Sequence, residues 1–249
     1  MADISKVESL DTRAAQVSQI LFRAGVPNVL WGNYLLSIYG VPTTVEDIAY
    51  VVPDVKLAVA CSALEKAEFS LCIGDSSCLQ ELYRVQPRPA ADHYHSRDNL
   101  VISLYKKSDT LWELDSLGRD QLAHSPDIQS AAAPTLPPAV PGRGRGRLAP
   151  ECSIVKIPSA ARFCEVLILL HCRDYQTSIY RNYWMAHLSY MFEYVAETDA
   201  LNGEDLREGF KEFYYARVRH EVTLLSSLLG DIRRNLSLSG RLEVDSVNN

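Results

Sequence analysis

The chain has no run of 18 or more apolar residues, the length a membrane-spanning helix requires. Its first residues, MADISKVESLDTRAAQ, scatter charges where a secretory leader would place an apolar stretch. A soluble cytoplasmic protein with no membrane partner is therefore expected. A basic excess is missing too: the formal net charge is -6 and the sequence pI about 5.5, the wrong sign for a general binder of nucleic acid or of anionic lipid. That leaves a small molecule, a nucleotide or a protein as the expected partner. Six cysteines at positions 61, 72, 78, 152, 164 and 172 form no C-x-x-C pair and sit mostly in apolar surroundings, which reads as reduced thiols. There is no G-x-S-x-G elbow, P-loop, G-x-G-x-x-G or H-E-x-x-H, so hydrolase, ATPase, dehydrogenase and zinc-protease readings have no signature to stand on.

What is present suffices for a sizeable core, since 47% of the 249 residues are hydrophobic and 22% charged. The most informative stretch is VLWGNYLLSIYGVPTTVEDIAYVVPD, Val29 to Asp54. Its apolar run to Trp31 reads as a strand and Gly32 as a turn. Tyr34, Leu35, Ile38 and Tyr39 then recur at helical spacing until Gly40 and Pro42 end the helix. Glu46 to Val52 reads as the returning strand. This order brings backbone N–H groups of Gly32-Asn33 to a helix start, where an anion is favoured, with Asp47 nearby.

These residues resemble the nucleotidyltransferase fold in its minimal, antitoxin-like branch: strand, glycine pair, helix, then Asp-h-Asp on a strand, h being apolar. The resemblance covers roughly residues 20 to 115. The chain also resembles a fungal group sharing a YGVPT..EDI..VVPD block, with Leu104 to Trp112 and Arg181 to Tyr194 similar to that group's later blocks. The family resemblance implies an α+β mixed sheet with flanking helices. It further implies Mg2+ on Asp47, nucleotide phosphates on Gly32 and Asn33, and a third carboxylate, Asp115, as base toward an attacking hydroxyl. The pattern departs at Asn33, which replaces the second glycine, and at Ala49, which falls where the second metal carboxylate belongs. Glu46 could stand in only if a bulge re-aimed it.

Elsewhere, Ile4 to Ala24 reads as a helix, Asp54 as the cap of another, and Phe69 to Ile73, Asn99 to Tyr105 and Leu111 to Leu114 as strands. Composition then turns rich in Pro, Gly and Ala, ending in PGRGRGRLAP, so the expected organisation is a domain over 1–118, a linker or long loop over 119–152, a helical segment over 153–240 and a tail over 241–249. Arg143, Arg145 and Arg147 belong to a solvated tether, a surface loop or an anion-binding arm. In the helical segment Ala160 to Arg173, Gln176 to Ala196 and Gly203 to Gly230 are each expected as one helix.

Two further groups are candidates. His93 and His95 flank Tyr94 and would share one side of an extended strand, but no nearby His, Cys or carboxylate spacing completes a zinc set. They read as a surface or packed pair, with His95 a candidate to line a cleft beside Asp47. Tyr183, Trp184 and His187 belong to an aromatic band at helical spacing that reads first as core and second as a ligand pocket. Three functions follow. The preferred one is a divergent member of the fold that binds a ligand or partner in the inherited cleft without two-metal transfer. The others are an active Mg2+-dependent nucleotidyltransferase, and a small-molecule enzyme of different chemistry using Tyr or His.

Overall fold

A computed structural model of the chain describes residues 9–73, 92–96, 100–114, 117–118, 122 and 124–242. It is an α+β protein in two compact units, one running to Ser159 and the other from Ala160. Among the described residues no helix is long and apolar enough to cross a membrane, and no disulfide joins the cysteines.

The first unit opens with α1, Leu10–Arg23. Ser9 caps it by accepting from the Thr12 N–H at 3.2 Å, and Asp11 and Arg23 suit the charges of its two ends. Ala14, Val17 and Leu21, three and four residues apart, are its buried stripe. Strand β1, Val29–Trp31, leads directly into α2, Gly32–Ile38. Strand β2, Ile48–Val52, is buried on both faces, as its unbroken apolar run requires. After α3, Leu57–Lys66, come β3, Ser70–Leu71, β4, Asp92–His95, and β5, Val101–Lys106. They form one mixed sheet in the order β1-β2-β5-β4-β3, in which only the β2–β5 pair is parallel.

Because residues opposite one another in register share a face, one row runs Trp31, Ala49, Ser103, His93. The opposite face carries Leu30, Tyr50 and Leu104, and there the Tyr50 hydroxyl donates to the Ala14 carbonyl of α1 at 2.6 Å. Leu111 to Leu114, expected as a strand, is instead a turn. The Leu114 N–H bonds the Leu111 carbonyl at 3.1 Å, and the Thr110 hydroxyl bonds back to Lys106 at 3.0 Å, so the backbone groups a ladder would need are used locally.

The stretch expected as linker or long loop, 119–152, lies within the first unit. It contains β6, Ile128–Ser130, which pairs with β7, Lys156–Pro158, in a second small sheet. Its GRGRGR segment is laid against the end of α2: the Gly144 N–H donates to the Gly40 carbonyl and the Gly146 N–H to the Ser37 carbonyl, both at 2.9 Å. A Cβ on Gly144 would stand 2.4 Å from the Val41 carbonyl oxygen, so only glycine permits this approach.

The second unit is helical: α4, Ala160–Arg173, α5, Ser178–Tyr194, α6, Glu208–Val218, and α7, Val222–Leu238. The single helix expected over Gly203 to Gly230 is two helices, broken at His220, whose φ of 59° lies in the left-handed region. The Glu221 N–H closes the turn on the Ala216 carbonyl at 2.9 Å, and α6 and α7 are in contact. Within this unit Arg162 and Glu165 form a buried ion pair, with Glu165 also accepting from the Arg207 N–H at 2.5 Å.

Candidate functional site

Gly32 makes the turn from β1 into α2 with a φ of 72°, a conformation that favours glycine. Register carries this turn to the start of β2, since Trp31, the residue before Gly32, pairs with Ala49. Of the expected corner, the Gly32 turn is thus beside Ala49 of β2. Its chemistry is another matter. A Cβ built on Gly32 would lie 3.6 Å from the Ala49 Cβ, so the side chain facing the turn from β2 is a methyl group, which ligates nothing. Asp47 is only 4% exposed, and its carboxylate accepts a 2.5 Å hydrogen bond from the Ser103 hydroxyl.

The remaining candidates distribute as follows. Glu46 is exposed and, by alternation, projects away from the Asp47 side. Asn33 donates from its side-chain amide to the Thr44 carbonyl at 3.1 Å, which ties the α2 start to the loop leading into β2. Asp115 lies outside the described residues. His95 is on the same sheet face as Asp47, but β5 stands between its strand and β2. Tyr183, Trp184 and His187 belong to α5 of the second unit, where the Tyr183 and His187 rings pack 4.2 Å apart. The Trp184 indole donates to Asp174 at 2.7 Å, and Trp184 and His187 are buried. These are the contacts of packing residues.

Beside the corner lies a cavity of about 710 Å³, lined by Asp11, Tyr34, Ser37, Thr43, Arg143 and Arg145 among others. An ion pair is part of its wall. Arg145 Nε donates to the two Asp11 carboxylate oxygens at 2.9 and 3.0 Å, its second guanidinium nitrogen bonds the same carboxylate, and the Tyr34 hydroxyl donates to Asp11 at 2.7 Å. Burial alone would raise the Asp11 pKa, but hydrogen bonds from Arg145 and Tyr34 outweigh it and hold the carboxyl below its ordinary value. Burial first, and then Asp11, push the Tyr34 hydroxyl far up, so it remains a donor. The Asp11 hydrogen bond likewise raises Arg145. The two charges cancel in place, and Arg145 is engaged by the protein's own carboxylate. Sequence reasoning missed Asp11 and Tyr34 because nothing in the local pattern of α1 or α2 points to a residue 134 positions away.

Sequence reasoning also missed Cys72. It stands just past β3, and its N–H donates to the His93 carbonyl at 2.9 Å. Its sulfur and one ring nitrogen each of His93 and His95 all lie within 4.8 Å of one another. Compared with known proteins, the chain matches no family model and no curated protein.

Proposed function

We propose that the first unit is a divergent domain of nucleotidyltransferase type that has kept the strand, turn, helix and returning strand and has given up two-metal transfer, and that it acts in the cytoplasm by binding a small ligand or a protein partner in the cleft beside α2. The observation that carries this reading is the Ala49 methyl group packed against Gly32 while the one remaining motif carboxylate, Asp47, is buried on Ser103. A pair of divalent ions needs carboxylate oxygens that can face the metal and its water. Asp47 and Ala49 do not fit that demand, so no transfer step is derived through Mg2+. The 710 Å³ cleft is of a size that holds small ligands, and in it Asp11 and Arg145 are already paired while Arg143 adds a second guanidinium to the lining.

Titration calorimetry with ATP, CTP, GTP and UTP, with and without Mg2+, tests this. The expected result is weak binding or none. Tight Mg2+-dependent binding that Asp47→Asn removes would replace this reading with an active transferase, in which Gly32 and Asn33 hold phosphate and Asp115 is the base.

A further inference from the structure

A group of donors lies at the opposite edge of the sheet. His93 and His95 occupy alternate positions of β4 and so share a face. The β3–β4 register, Ser70 with His95 and Leu71 with Tyr94, carries Cys72 opposite His93 on that face. Three donors, one sulfur and two imidazole nitrogens, thereby converge from two strands. The two rings stand edge to face, 5.3 Å apart. His93 is 8% exposed, while Cys72 and His95 are half-buried at the sheet edge, so solvent reaches the group from one side.

We propose that Cys72, His93 and His95 form a transition-metal site that takes Zn2+. Tetrahedral bonds of about 2.0–2.3 Å bring such donors to roughly 3.3–3.7 Å from one another. From the present spread, within 4.8 Å, side-chain rotations close the distance with the strands left in place. The donor set decides the metal: thiolate and imidazole favour Zn2+, whereas Mg2+ takes oxygen ligands and holds its water. Binding requires the Cys72 thiolate, so the thiol proton passes to solvent as the metal–sulfur bond forms. Three protein ligands leave the fourth position to water. The ion would also join β3, two residues long and exposed, to β4 at the edge where the sheet is least supported by pairing. The site uses no residue of the Gly32–Asp47 corner and stands independently of the function proposed for it.

The test is titration of the full metal-stripped chain with Co2+ and then Zn2+. One equivalent of Co2+ should give a thiolate-to-cobalt charge-transfer band with tetrahedral visible bands, all bleached by one equivalent of Zn2+. Cys72→Ser should abolish the charge-transfer band. His95→Gln should weaken Zn2+ binding by more than the roughly 10–100-fold that loss of an outer-shell partner costs. Failure of the folded wild-type chain to take up one equivalent, an undiminished band in Cys72→Ser, or unchanged affinity in His95→Gln overturns the site. Alkylation needs no variant: stoichiometric Zn2+ should protect Cys72 from iodoacetamide in the wild-type chain, read by peptide mass. Alkylation of Cys72 at an unchanged rate would count against the site as firmly.

Discussion

One face of the five-stranded sheet carries both of the places considered above, and they differ in what they offer a ligand. At the β1–β2 end the row is closed: Trp31, Ala49 and Ser103 are buried, and the one carboxylate is held by a hydroxyl. At the β3–β4 end, roughly 10 Å across two strand spacings, the same face brings together one sulfur and two imidazoles, of which Cys72 and His95 are half-buried. The end whose sequence resembles a motif has a single carboxylate, already bonded to Ser103, and the end where three donors converge has no such resemblance. A motif is a spacing along the chain, whereas a donor set is made by pairing between strands, and here the two have come apart.

The largest expected effect tests the closed end. Ala49→Asp buries a second carboxylate beside Asp47 with no cation to meet it, and should cost about 3–5 kcal/mol of stability in urea unfolding without metal. If millimolar Mg2+ restored most of that loss, the closed end would be a metal corner after all and the contrast would fail. A smaller effect sharpens the contrast from both ends at once. Ser103→Ala leaves the buried Asp47 carboxylate without its hydroxyl partner and should cost about 1–3 kcal/mol. Ser70→Ala, on the exposed edge strand, should stay within about 0.5 kcal/mol. Equal losses in the same unfolding assay would mean the two ends are equally tight.

The smallest effect concerns pH at the cleft beside the closed end. Asp11 has its folded pKa held below the ordinary value near 3.8, so its stabilising contribution is fully present above that pH and is lost as pH falls through the depressed folded value. Arg145→Ala should remove this acid-side loss. At pH 7 it should cost only about 1 kcal/mol, since the guanidinium is 51% exposed and water screens the pair. Thermal unfolding between pH 2 and 7 checks both statements.

Strands β1, β2 and β5 were legible because continuous apolar runs bounded by Gly, Pro and polar residues have few other readings. The Gly32 turn was legible for the same reason, and with it the approach of the turn to Ala49. What stayed hidden depended on register or on single backbone angles. The break at His220 interrupts an apolar stripe that continues on both sides, so periodicity ran straight through it. Leu111 to Leu114 has a strand's composition and a turn's hydrogen bonds. Arg145 read equally as tether, surface loop or anion arm, and its partner on α1 lay beyond any local pattern. Cys72 is 21 positions before His93, and only the β3–β4 pairing joins them.

The seat of the glycine-arginine segment against α2 bears on how the protein is made. Helix α2 ends with its Ser37 and Gly40 carbonyls bonded by Gly146 and Gly144, and α1 has its Asp11 met by Arg145. About 100 residues are synthesised between those carbonyls and their donors, which at translation rates of roughly 5–20 residues per second is on the order of 5–20 seconds. During that interval the Ser37 and Gly40 carbonyls lack these donors, and Asp11 has Tyr34 without Arg145. The segment that seats α2 is thus among the last parts of the first unit to be made, ahead of only β7 and the stretch that leads into it.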